Sequence, residues 1–213
     1  LSVVRGPALA EEEGLGELTL SGWFKHVCTQ GQDAEALVFY ENGLANGQRI
    51  SWTYSQLWHE AQAVARALIA SGLGKGGRVG IMMTNRPEFL AATFGTALAG
   101  GVATTFSTFS TPAELDYLIQ ASGVSILLFD TQILKKNYAD ILGELDPQIL
   151  AAGKGRISSN HFPFLTKVVG VGSEHPAVEH WSSFVKSGDQ IDPAQVEARA
   201  ATNTPADPAV LFF

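Results

Sequence analysis

From residue 78 to residue 129 apolar runs alternate with helical stretches at short, regular spacing. Val79 to Met83 is a continuous apolar run, broken by Thr84-Asn85-Arg86-Pro87-Glu88. Ala91, Ala92, Gly95, Ala97, Ala99 and Gly100 then mark a slim helix, and Pro87 suits its first position because the missing donor would be unpaired there anyway. Val102 to Phe106 is a second apolar run. Thr111-Pro112-Ala113-Glu114 is a capping box with proline at the first helical position, followed by inward-facing Leu115, Leu118 and Ile119 and a stop at Gly123. Val124 to Phe129 is a third run. Strand, helix, strand, helix, strand at this spacing predicts parallel pairing, because each crossover helix returns the chain to the same end of the sheet. The expected fold class is therefore α/β, a doubly wound, mostly parallel sheet flanked by helices. Such sheets carry their chemistry in loops at the carboxyl ends of the strands, here residues 84–88 and 106–111.

Patterning before and after this unit is less uniform. Residues 1–35 read as a lead segment with a helix from Ser21 to Cys28. Ala36 to Tyr40 and Arg49 to Tyr54 read as a hairpin on the sheet's flank, with Asn42-Gly43 and Asn46-Gly47 tolerating positive φ. Thr53 and Gln56 have capping-box spacing, and Leu57, Ala61, Val64, Ala65, Leu68 and Ile69 form one apolar stripe of a helix that stops at Gly72. Later come a helical region from about Gln132 to Leu145, a Gly-, Ser- and Asn-rich loop over 153–160, a strand at Lys167 to Val171, a short helix with Trp181, a Pro- and Ala-rich acidic tail, and a strand from Ala209 to Phe213. With no repeat and no convincing linker, residues 1–213 are taken as one domain.

Composition narrows the function. At 46% hydrophobic and 16% charged residues the chain buries a sizeable core. Its net charge of −7 and scattered basic residues argue against a nucleic-acid partner. The single cysteine, Cys28, excludes an internal disulfide and fits a reducing compartment; with no secretory signal, the expectation is cytoplasmic. Residues 89–113 carry no charge, long enough for a membrane span. Yet glycines, threonines, serines and Pro112 in that run predict a buried helix, a break and a buried strand, with no transmembrane segment.

The local motifs need weighing one by one. Gly72 to Gly77 matches G-x-G-x-x-G in reversed context: a helix precedes and a strand follows, so it reads as a helix stop and turn and not as a dinucleotide site. The five histidines lack metal-ligand spacing and read as surface residues, the four tryptophans as core anchors. Neither a Gly-x-Ser-x-Gly elbow nor a paired cysteine offers a nucleophile. Arg86 and Glu88 fit an anion site or a helix start equally well. Ser107, Thr108 and Ser110 suit hydrogen bonds to a phosphate or the needs of a helix N-terminus. Taken alone, the residues describe a ligand-binding α/β domain with no catalytic set.

Their succession is more specific. Trp52-Thr53-Tyr54-x-x-Leu57, Gly72-Leu73-x-x-Gly76-x-Arg78-Val79, Asn85-Arg86-Pro87-Glu88-Phe89, Ala97-x-x-Gly100-Gly101-Val102, Thr111-Pro112-x-Glu114-Leu115 and Asp207-Pro208-Ala209-Val210-Leu211-Phe212-Phe213 follow in the order and spacing of one family. The chain resembles the amino-terminal part of the AMP-forming acyl-CoA synthetases, the adenylate-forming ligases. The resemblance implies a carboxylic or fatty acid substrate activated with ATP and Mg2+ to an acyl-adenylate and pyrophosphate, then transfer to coenzyme A with release of AMP. It also implies that the phosphate loop would follow Phe213, so that residues 1–213 are the first part of the large domain, inactive alone, holding no cofactor tightly and no catalytic residue. Within the chain, Ser107 and Thr108 match a turn beside the CoA nucleotide, although many relatives have Asn where Ser107 stands. Lys135 and Lys136 fall near a basic position on the CoA phosphates. Two alternatives stay open: an adenylation domain of a peptide synthetase or luciferase-like enzyme, and a non-catalytic α/β binding module ending at Phe213. Oligomeric state is not fixed by the sequence; a homodimer is compatible with it.

Overall fold

The computed structural model describes residues 17–41 and 47–213. Residues 1–16 of the lead segment and residues 42–46 of the expected hairpin turn lie outside the described residues. Helix α1 (Leu20–Gly31) starts at Thr19, whose hydroxyl accepts the Gly22 N–H at 3.0 Å. Strands β1 (Glu35–Tyr40) and β2 (Arg49–Thr53) pair antiparallel in a separate two-stranded sheet. In α2 (Tyr54–Ala70) the capping box is reciprocal: Thr53 N–H donates to Gln56 Oε1 at 2.8 Å and Gln56 N–H to Thr53 Oγ1 at 3.2 Å.

The core unit follows as β3 (Arg78–Met82), α3 (Pro87–Leu98), β4 (Val102–Thr105), α4 (Pro112–Ser122) and β5 (Ile126–Asp130). Pro87 occupies the first turn of α3, Thr111 and Glu114 close a second capping box, and Gly123 ends α4 in the left-handed region at φ 61°. The remaining elements are β6 (Gln132–Ile133), β7 (Lys136–Asn137), α5 (Tyr138–Leu145), α6 (Pro147–Ala151), β8 (Lys167–Val171), β9 (Glu179–His180), α7 (Trp181–Ser187), α8 (Pro193–Ala200) and β10 (Val210–Phe212). Six strands form the main sheet in the order β10-β4-β3-β5-β8-β9, every neighbouring pair parallel.

Two crossovers fix where a ligand can sit. Helix α3 carries the chain from β3 outward to β4; α4 carries it back past β3 to β5. Right-handed crossovers running in opposite directions place their helices on opposite faces. One face buries Leu57, Val64 and Leu68 of α2 with Ala91, Ala92 and Leu98 of α3. The other buries Leu115 and Ile119 of α4 with Tyr138, Ala139 and Leu142 of α5. Each fully buried Leu, Ile or Val among these contributes about 1.5–3 kcal/mol relative to exposure. Helices α2 and α3 lie in contact because α3 is slim: a Cβ on Gly95 would stand 2.7 Å from the Ala61 carbonyl oxygen. The strand order reverses at β3, so the switch point, where open α/β sheets bind ligands, lies at the carboxyl ends of β3 and β5.

Three expectations change. Residues 132–137 form a tight hairpin, not the first turns of a helix; Leu134 turns the chain at φ 53°, and the Asn137 side chain accepts the Ala139 and Asp140 N–H groups to start α5. Trp23 is no core anchor, being 48% exposed. His175 and His180 are half-buried, and His180 caps α7 by accepting the Ser182 N–H. The uncharged 89–113 stretch divides into helix, Gly-Gly turn and strand as expected. Among the described residues no helix is long and apolar enough to cross a membrane.

Candidate functional site

The loop leaving β3 is bound to the end of β5. Register places Met82 opposite Phe129, so the next residues of both strands emerge side by side. Asp130, with a side chain only 4% exposed, accepts the Thr84 N–H at 2.7 Å and the Thr84 hydroxyl at 2.8 Å on one oxygen, and Arg86 Nη1 at 2.5 Å on the other. Arg86 also donates from Nε and Nη2 to the two oxygens of Glu88, at 2.9 and 3.1 Å. Burial works against the Arg86 charge, but hydrogen bonding to Glu88 and the charges of Glu88 and Asp130 outweigh it and hold the guanidinium above its ordinary pKa. Most of its fork is therefore spent inside the protein, and the arrangement is a loop clamp in place of either expected role, an open anion site or a plain helix start. Asp130 escaped the sequence reading. Its one signal was a carboxylate directly after the apolar run Ile126 to Phe129.

The turn leaving β4 is built differently. Phe106 N–H donates to the Ile81 carbonyl at 2.9 Å, holding the turn against β3. Ser107 is exposed and its hydroxyl oxygen accepts the Phe109 N–H at 3.2 Å, leaving its own proton free to donate. The Thr108 carbonyl accepts the Tyr138 hydroxyl at 2.7 Å and the Ser110 carbonyl accepts Lys136 Nζ at 3.3 Å, which ties the turn to the β6–β7 hairpin. Lys136 also lies 5.9 Å from the centre of the Tyr138 ring. Glu114 sits below its usual carboxylate range, first because the Thr111 N–H and hydroxyl donate to it and then because of the nearby Lys136 charge.

The structure thus brings Ser107, Thr108 and Lys136 into one cluster. Lys135 is the next residue on the same hairpin and is exposed. The lysines sit on hairpin backbone because the Leu134 turn precedes them. Phe109 and Leu134, at the tips of the turn and the hairpin, are 86% and 88% exposed. Among the described residues no group of three or more His, Cys, Asp or Glu side chains could hold a metal ion.

The profile of the family described as AMP-binding enzyme matches residues 24–213. Acyl-CoA ligase SID4 of Ajellomyces capsulatus is 27% identical over 214 residues, covering 100% of this chain and 33% of that protein. The mitochondrial medium-chain acyl-CoA ligase ACSF2 of Bos taurus is 29% identical over 158 residues, 74% of this chain and 25% of that protein. The chain spans a quarter to a third of the length of these curated relatives. In fold, it superposes on a long-chain-fatty-acid-CoA ligase (FadD1) from Archaeoglobus fulgidus with TM-score 0.66 at 14% identity, covering 91% of this chain and 34% of that one. The anthranilate CoA ligase AuaEII in complex with anthranoyl-AMP gives TM-score 0.64 at 17% identity, over 84% and 30%. A parallel six-stranded α/β sheet whose strand order reverses at β3, and a family match over residues 24–213, lead to one conclusion: the chain belongs to the AMP-binding enzymes, the adenylate-forming ligases.

Proposed function

We propose that this chain is part of an ATP-dependent acyl-CoA synthetase, and that its own contribution is to receive coenzyme A at the carboxyl edge of the sheet. In the reaction proposed, a carboxylate attacks the α-phosphate of ATP to give an acyl-adenylate and pyrophosphate, and the CoA thiolate then displaces AMP. The observation that carries the CoA reading is the tie between the Ser107–Ser110 turn and the hairpin of Lys135 and Lys136. Together they present a free hydroxyl proton and two cations, the donor types that phosphate oxygens accept. ATP supplies the activating phosphoanhydride when bound, and Mg2+ its charge neutralisation. The activation step is assigned to no side chain of this chain. The 213 residues are proposed to be inactive alone, since the relatives they match are about three times as long. A cytoplasmic location belongs to the same proposal; the bovine relative is named mitochondrial, and cell fractionation separates the two.

Replacing Lys135→Glu and Lys136→Glu together, in the enzyme that contains this sequence, is expected to raise KM for CoA about tenfold or more, at roughly 1 kcal/mol per exposed contact, and to leave ATP–pyrophosphate exchange unchanged. CoA binds only in the second half-reaction. Equal loss in both half-reactions would mean misfolding, and no change in either would return the lysines to plain surface.

A further inference from the structure

Phe109 and Leu134 are the two most exposed large apolar side chains among the described residues, and each stands at the tip of a loop. Leu134 does so at φ 53°, in the left-handed region where glycine or asparagine is the low-strain choice and leucine is uncommon. A turn that needed only to reverse direction would not favour leucine there. The two tips are not independent, because Tyr138 and Lys136 bind the turn to the hairpin through the Thr108 and Ser110 carbonyls. Beside them stand Lys135 and Lys136, in a chain whose net charge of −7 would otherwise keep it away from an anionic surface. The acidic groups nearby are Glu114, whose carboxylate is occupied by the Thr111 N–H and hydroxyl at 2.8 and 2.9 Å, and Asp140, 3.7 Å from His175 Nε2.

We propose that these tied tips are a membrane-surface contact: Phe109 and Leu134 enter the apolar boundary of a bilayer while Lys135 and Lys136 meet anionic headgroups. Two protruding side chains on separate tips suit a deformable lipid boundary better than a protein partner, which matches broad, shaped patches. Lysines can lay their methylene stems along the apolar boundary and keep their charges at headgroup level. The proposal rests on exposure and tip geometry, not on CoA binding, and its test contains no CoA.

The test is co-sedimentation of the enzyme that contains this sequence with vesicles of phosphatidylcholine alone and with about one third phosphatidylserine added, at low and high salt. The enzyme is expected to pellet with the anionic vesicles and to be released by salt. Leu134→Asn, which suits the backbone, and Phe109→Ser should each lower the partition coefficient about tenfold, the size expected for withdrawing one large apolar side chain from lipid. Circular dichroism of both variants checks that they are folded. Failure of the parent enzyme to bind either vesicle would overturn the proposal, as would binding that both tip variants retain. So would self-association in the absence of lipid that the tip variants abolish, since the tips would then serve a second copy. Binding that ignores phosphatidylserine would overturn the part given to the lysines.

Discussion

The loops after β3 and β4 begin at neighbouring strand ends, yet they are held in opposite ways. After β3 a carboxylate that is almost fully buried collects three donors, and the one cation nearby faces two carboxylates. After β4 the side chains that reach the turn from outside, Tyr138 and Lys136, bind its carbonyls, so the Ser107 hydroxyl keeps its proton and Lys136 keeps further donors. The difference separates structural chemistry from available chemistry: arginine and glutamate beside a switch point are no sign of a binding site when the fold has already neutralised them. A modest serine turn can matter more, because its polar groups are incompletely spent.

If that contrast is right, the largest effect should come from Asp130. Asp130→Ala removes three accepted hydrogen bonds and leaves a half-buried guanidinium with one partner; stability in urea should fall by about 3–5 kcal/mol, with m unchanged. A loss below 1 kcal/mol would mean the β3 loop is not clamped as described. Tyr138→Phe removes one donor and little volume, so it should cost about 1 kcal/mol and raise amide exchange at Phe109 and Ser110 more than at Thr84. Equal acceleration at both loops would erase the distinction between them.

The smallest effect concerns pH. Glu114 has its carboxyl depressed from an ordinary value of 4.5, so the unfolded chain takes up its proton first as pH falls. Its contribution is complete above 4.5 and is lost as pH drops through the lower folded value. Glu114→Gln should therefore lower Tm slightly near neutrality, where the contribution is complete, and flatten the acid side of the Tm-against-pH curve, the two proteins converging at low pH. Unchanged acid slopes would remove Glu114 as a titrating support of the β4 turn.

Local signals made the β3-to-β5 unit legible, since proline at a first helical turn, a threonine and glutamate three apart, and a glycine stop each act within a few residues. The Asp130 clamp was not legible because Thr84 and Asp130 meet only through strand register, 46 positions apart in the chain. The β6–β7 hairpin was read as helix because leucine at position 134 gives none of the chemistry by which a turn announces itself. Lys135 and Lys136 could be placed after the right strand, but their approach to the Ser107–Ser110 turn depends on Tyr138 reaching across, which no spacing rule encodes. Ser107 and Thr108 fall between β4 and α4, as the hydroxyl-rich turn between Phe106 and the capping box at Thr111 indicated.

Strand β10 joins the sheet by pairing three residues with β4, Val210 opposite Ala103, across more than a hundred intervening positions. No other pairing in this sheet closes so long a loop, and the entropy lost on closing a loop grows with its length. The most local part of the carboxyl edge, the β3-to-β5 unit with its two loops, is complete in sequence before β10 exists. The outer wall, where the Phe213 ring meets Phe106 edge-on at 6.3 Å, is the part that chain entropy opposes most.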